Sequence, residues 1–251
     1  MRNNITSQHD FVSEAVRVVE EAQKHGVILR MMGATAIRHH CPAFASLHTS
    51  MGRQISDIDF VTYEKQSSKV EKLLQTLGYV IRPMSYSFIQ GGRLIFENKD
   101  SGTHVDVFMD RLSMCHTIDY TTRLEVDYPT VPLAELLLQK MQIVKLSEKD
   151  VIDTTILLLE HDVGRTDKET VNLDYIAGML AQDWGFWYTI RTNLVKVKSL
   201  LPGFQALEQQ HQNRVAERID SIVARLDDEP KSTGWKMRAG IGTKKKWYKE
   251  I

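Results

Sequence analysis

The stretch RQISDIDFVTYE, residues 53–64, decides our interpretation of the fold. Ile58 and Phe60 favour a β-strand, but the stretch also carries Asp57 and Asp59, and aspartate is among the residues that strands avoid. Because side chains two positions apart point to the same face of a strand, the two carboxylates are predicted to project together, away from the core that Ile58 and Phe60 enter. Adjacent carboxylates repel each other, and a site that keeps both ionised usually holds a cation between them. A solvated strand end is the simpler explanation for an isolated D-x-D pair, so the pair needs support from the rest of the chain.

The composition is that of an ordinary globular protein. The 251 residues are 42% hydrophobic and 25% charged. The formal net charge is zero, so the overall charge of the chain does not favour binding to a polyanion such as a nucleic acid. Its two cysteines, Cys41 and Cys115, form no disulfide framework and fit a reducing compartment. The start of the chain is polar and no apolar run approaches the ~18 residues of a membrane span. We therefore expect a cytoplasmic protein without a membrane partner.

The hydrophobic pattern predicts an α+β fold in the first half of the chain. Apolar residues at helical spacing alternate with short apolar runs that end at glycine-containing turns. The predicted helices are 10–26, 34–40 and 67–78; the predicted strands are VILRMMG (27–33), SFIQ (87–90), RLIFENKD (93–100) and HVDVFMD (104–110). The last three strands, separated by Gly-Gly and Ser-Gly turns, predict an antiparallel meander.

From Pro129 onward the chain is predicted to be helical, with a break near Ser147. We place a domain boundary near residue 128, so that residues 1–128 form the α+β domain and residues 129–228 a helical domain. Residues 229–251 lack apolar periodicity and are predicted to be a basic tail.

Two further features support a site around the D-x-D pair. Gly33 follows a short apolar strand and opens a helix, where free backbone N–H groups can hold phosphate oxygens. Asp106 lies in the middle of the apolar strand THVDVF and adds a third carboxylate. Carboxylates beside a phosphate-type turn are typical of two-metal phosphoryl transfer, and their oxygens suit Mg²⁺.

This order of features resembles the nucleotidyltransferase superfamily with the DNA-polymerase-β-type catalytic sheet, and most of all the AbiE-type toxin and related minimal nucleotidyltransferases. The resemblance covers roughly residues 10–160. The chain departs from the pattern at Ala34, where the family has glycine or serine, although Thr35 can supply a hydroxyl. The residues that carry the resemblance are Gly33, Arg53, Ser56, Asp57, Asp59, Asp106, Lys140, Lys145, Lys149, Asp150 and Asp153.

The resemblance implies a catalytic domain over residues 1–128 that moves a nucleoside monophosphate from an NTP to an acceptor hydroxyl. Asp57, Asp59 and Asp106 are expected to hold two Mg²⁺ ions, and Asp106 is also expected to help deprotonate the acceptor. The residues expected to bind the nucleotide are Gly33, Ala34, Thr35, Arg53, Ser56, Lys140 and Asp150. The family further suggests tRNA, another RNA or a protein as acceptor and an antitoxin protein as partner. The alternatives are a small-molecule, antibiotic-type nucleotidyltransferase and an inactive nucleotide-binding relative.

Several residues have two interpretations. Lys140 can hold the triphosphate, or it can pack its stem on the core and reach solvent with its ammonium group. The aromatic run around Trp184 and Trp187 can stack on a base, but core packing is the simpler role. The run from Lys244 to Tyr248 can hold RNA or be a solvated tail.

Overall fold

A mixed five-stranded sheet lies at the centre of the first half of the chain. The computed structural model describes residues 8–82 and 92–251. The strands are β1 (Leu29–Met32), β2 (Asp57–Thr62), β3 (Tyr79–Ile81), β4 (Arg93–Asn98) and β5 (His104–Met109), in the order β1-β2-β5-β4-β3. β2 and β5 run parallel, and the other neighbouring pairs are antiparallel. The predicted meander is confirmed for β4 and β5, whereas the predicted strand 87–90 lies outside the described residues.

Helices pack beside this sheet because their apolar residues recur at helical spacing. α1 (Gln8–Lys24) buries Ala15, Val18, Val19 and Ala22 completely. α2 (Gly33–His40) follows β1 directly, and α4 (Ser67–Thr76) precedes β3. Alternate strand residues supply the rest of the core, and Ile58, Phe60, Val105, Val107 and Phe96 have no exposed surface. The fold is therefore α+β, as the sequence predicts.

The chain divides into two units that each hold their own core. The sheet unit contains residues 1–40, 54–113 and 117–132, and the helical unit contains residues 41–53, 114–116 and 133–251. The helical unit includes α3 (Ala45–Ser50), α5 (Leu133–Met141), α6 (Glu148–Glu160), α7 (Leu173–Leu180), α8 (Trp184–Leu200), α9 (Gln209–Asp228) and α10 (Thr233–Ile241). Short strand pairs complete the chain: β6 (Arg111–Ser113) with β7 (Thr117–Asp119), and β8 (Asp162–Gly164) with β9 (Thr170–Asn172).

The predicted helix break near Ser147 is confirmed by a capping box. The Ser147 hydroxyl accepts a hydrogen bond from the Asp150 N–H, and the Asp150 carboxylate accepts one from the Ser147 N–H. Further on, the segment between residues 172 and 203 forms the two helices α7 and α8. α8 starts anew because the Asp183 side chain accepts a hydrogen bond from the Phe186 N–H and caps its N-terminus. Within the described residues, no helix combines the length and the apolarity that crossing a bilayer requires.

The predicted basic tail, residues 229–251, contains a helix. Residues 233–241 form α10, with Ser232 as its N-cap. Trp247 packs edge-on against Trp184 and Tyr188, and its indole N–H donates to the Thr189 hydroxyl at 3.1 Å. These anchors are spread over α8, so no local periodicity in the tail could indicate them.

Candidate active site

β2 and β5 bring the three predicted carboxylates together. In their parallel register Asp57 lies opposite His104 and Asp59 lies opposite Asp106. One oxygen from each of Asp57, Asp59 and Asp106 lies within 4.8 Å of the other two. We call these three residues the carboxylate triad. Within residues 8–82 and 92–251 it is the one group of three or more His, Cys, Asp or Glu side chains placed to share a metal ion.

Gly33 closes one side of the triad. Its φ of +65° lies in the left-handed region, and a Cβ atom at this position would clash with Asp59 Oδ2. Any other residue would therefore meet both backbone strain and a clash with a triad oxygen. Because Gly33 is the first residue of α2, the Asp59 carboxylate also lies at the positive end of the helix dipole.

Arg93 is the counter-ion of Asp106. It lies on the neighbouring strand β4, and its Nη2 donates to Asp106 Oδ2. Burial raises the pKa of the Asp106 carboxyl above its usual value, Arg93 acts in the opposite direction, and the negative charge of Asp57 adds to the rise. Asp106 is thus a stronger base than an exposed aspartate, held in its charged form by Arg93.

Neighbouring residues orient Asp57. The Ser56 hydroxyl donates to Asp57 Oδ1 at 3.2 Å, and the Thr35 hydroxyl donates to the Asp57 carbonyl oxygen at 3.3 Å. Thr35 is buried, whereas Ala34 is half-buried at the start of α2. In this structure, Thr35 therefore braces the strand that carries Asp57.

The other predicted nucleotide-binding residues lie in the helical unit. Arg53 makes a two-pronged ion pair with Asp153, with Nε–Oδ1 and Nη2–Oδ2 distances of 2.8 and 2.9 Å. The Lys140 ammonium lies 2.8 Å from Asp153 Oδ2 and 3.5 Å from Asp150 Oδ1. Arg53 and Asp153 are almost completely buried, with side chains 7% and 1% exposed. We call these four residues the buried ion cluster.

The charges of this cluster stabilise one another. Burial acts to lower the pKa of Lys140, but the carboxylates of Asp153 and Asp150 raise it above its usual value. Burial acts to raise the pKa of Asp153, but Lys140 and Arg53 hold it below its usual range. The four groups carry no net formal charge, and both cations contact Asp153.

The structure thus divides the predicted site residues between two groups. Gly33, Thr35 and Ser56 lie against residues of the carboxylate triad in the sheet unit, and Ala34 follows Gly33 at the start of α2. Arg53, Lys140 and Asp150 belong to the buried ion cluster in the helical unit. The prediction from sequence missed Arg93. The sequence feature that could have indicated Arg93 is its position two residues before Ile95, which places both side chains on the same face of β4. Ile95 pairs with Asp106 on the neighbouring strand.

Comparison with known proteins adds two structural likenesses. No protein-family model and no curated protein matches the chain. The solution structure of the antibiotic-resistance factor ANT(2'')-Ia has a TM-score of 0.40 at 10% identity, over 70% of this chain and 96% of that one. The crystal structure of ANT(2'')-Ia with adenylyl-2''-tobramycin has a TM-score of 0.36 at 11% identity, over 58% of this chain and 86% of that one. Similarity at this level leaves the functional assignment to rest on the site itself.

Proposed function

We propose that this protein is a metal-dependent nucleotidyltransferase that moves a nucleoside monophosphate from an NTP to an acceptor hydroxyl. The observation that carries the proposal is the carboxylate triad on two parallel strands, with one oxygen of each residue within 4.8 Å of the other two, beside a glycine that opens a helix and whose Cβ position is blocked by Asp59 Oδ2. Three carboxylates at this separation repel one another, and their hard oxygen donors suit Mg²⁺.

Each residue of the site has a place in this reaction. Asp57, Asp59 and Asp106 would hold two Mg²⁺ ions, which when bound neutralise charge on the triphosphate. The N–H groups at the start of α2, from Gly33 and Ala34, would bind phosphate oxygens. Asp106 would accept the proton of the acceptor hydroxyl. The acceptor oxygen then bonds to the α-phosphorus as the bond from that phosphorus to the bridging oxygen breaks, and pyrophosphate leaves.

The resemblance to AbiE-type toxins supports a finer proposal: the acceptor is tRNA, another RNA or a protein, and an antitoxin protein is the partner. The intact triad favours an active enzyme over an inactive nucleotide-binding relative. A small-molecule acceptor is the alternative to RNA and protein, and labelling of separated cell fractions distinguishes the three.

The test is to incubate the protein with Mg²⁺, fractionated cell extract and each NTP in turn, labelled at either the α- or the γ-phosphate. Transfer of label from the α-labelled NTP but not from the γ-labelled NTP is the expected result. The RNA, protein or small-molecule fraction that takes the label identifies the acceptor class. Label transferred from the γ-phosphate would indicate a kinase and contradict the proposal, as would no transfer with any fraction.

A further inference from the structure

Arg93 contacts both the Asp106 carboxylate and the ring of Phe108. Its guanidinium carbon lies 5.3 Å from the centroid of the Phe108 ring, and Phe108 pairs with Arg93 in the β4–β5 register. From this position Nη2 reaches Asp106 Oδ2. Cation–π and ion-pair contacts thus act together on one guanidinium.

The arrangement places a positive charge on a carboxylate that would bind a metal ion. One oxygen of Asp106 belongs to the triad, and the guanidinium on that carboxylate repels any cation approaching it. The Asp106 side chain is 11% exposed and fixed on a central strand, whereas the Arg93 side chain is 46% exposed. Arg93 is therefore the partner that can turn away.

We infer that Arg93 is a positioning residue that couples metal binding at Asp106 to binding of the nucleotide. In the free protein, Arg93 is the counter-ion of Asp106 and weakens binding of a divalent ion at the triad. When a nucleoside triphosphate binds, its phosphates offer Arg93 a new partner and release Asp106 to the metal. The inference rests on the proposed function and adds an order of events to it. Metal ions bind to the triad only together with the nucleoside triphosphate.

The direct test uses Mn²⁺ as the probe and compares Arg93→Met with the wild type by calorimetry. Met keeps the unbranched stem but removes the charge, so without nucleotide the variant should bind Mn²⁺ about tenfold more tightly. With Mn²⁺ present, it should bind the α,β-methylene analogues of ATP, GTP, CTP and UTP, each titrated separately, about tenfold more weakly than the wild type. The two opposite changes cannot come from general damage to the site, which would weaken both.

Four further variants sharpen the result. Arg93→Lys keeps the charge and should stay close to the wild type in Mn²⁺ affinity. Arg82→Met removes a matched, exposed arginine that pairs with Glu97 at 2.9 Å, and it should change neither affinity. In an Asp106→Asn background, replacing Arg93 should no longer tighten Mn²⁺ binding, because the repulsion acts at Asp106. Arg93→Gln serves as a second neutral variant should Arg93→Met fold poorly.

Unchanged or weaker Mn²⁺ binding by both neutral variants would overturn the inference, as would an Arg93→Lys variant that binds Mn²⁺ as tightly as they do. These measurements need no turnover. Failure of the inference therefore leaves label transfer by the wild type intact, whereas failure of the proposed function would appear as absent transfer whatever the Mn²⁺ affinities are.

Discussion

At the scale of single residues, Gly33 is the position where backbone conformation and site geometry meet. Replacement by alanine at its φ of +65° should cost about 1–2 kcal/mol of stability through strain. Because the added Cβ would also meet Asp59 Oδ2, Gly33→Ala should weaken Mn²⁺ binding as well. Urea unfolding and calorimetry measure the two effects.

Gly102→Ala is the matched control for this prediction. Gly102 has a similar φ of +73°, but a Cβ there meets nothing within 4 Å. It should lose comparable stability and keep its Mn²⁺ affinity. Equal behaviour of the two variants in both measurements would show that the close approach to Asp59 does not shape the site.

His116 gives a residue-scale prediction for pH. It is buried, stacks on Phe186 and contacts the Thr189 hydroxyl at 2.9 Å, and burial lowers its pKa to about 4. The unfolded chain, with a histidine pKa of about 6.5, binds this proton more readily than the native state between these values. His116 should therefore remove about 3 kcal/mol of stability as the pH falls from about 6.5 to 4. A plot of unfolding free energy against pH across this range should have a shallower slope for His116→Asn than for the wild type. Identical slopes would contradict the lowered pKa of His116.

At the scale of elements, the buried ion cluster links α5, α6 and the segment after α3 within the helical unit. Asp153→Asn would leave the charges of Arg53 and Lys140 undercompensated in a buried setting. It should destabilise the protein by about 3 kcal/mol. Asp220→Asn removes an exposed partner of Lys198 and should change stability by less than about 0.5 kcal/mol. Equal denaturation midpoints for the two variants would refute the structural role of the buried ion cluster.

The sequence predicts the elements well where their signal is local. The apolar spacing of α1 and the serine before α6 are visible in a few neighbouring residues. The parallel pairing of Asp59 with Asp106 cannot be seen in the local sequence. These residues are separated by 46 others, and strand register depends on contacts across the sheet. Arg93 escaped prediction for the same reason. The packing of Trp247 on α8 also depends on tertiary contacts, so the tail could not be predicted as ordered.

At the scale of the whole molecule, charge is unevenly distributed. The chain has no net formal charge, yet residues 229–251 contain seven lysines and arginines and two glutamates. Lys244, Lys245 and Lys249 are exposed, while Trp247 anchors the segment that carries them. Such a patch suits a phosphate backbone if the acceptor is RNA.

Replacing these three lysines by glutamine tests the patch while keeping Trp247 in place. If tRNA binds there, affinity should fall and the slope of log affinity against log salt should flatten by about 2. The control replaces three exposed lysines elsewhere, Lys69, Lys72 and Lys168, and should leave the slope unchanged. Equal slopes for both triple variants would remove the patch as a nucleic-acid contact and favour a protein or small-molecule acceptor.

The central claim, that the carboxylate triad performs nucleotidyl transfer, is tested most directly by the initial rate of transfer from α-labelled NTP for Asp59→Asn. The variant keeps the size of the side chain and removes the charge that would hold the metal ions. The rate should therefore fall at least ~100-fold while thermal unfolding remains cooperative. Asp100→Asn, an exposed aspartate in the turn before β5, should keep the wild-type rate. Near-wild-type transfer by Asp59→Asn would contradict the account.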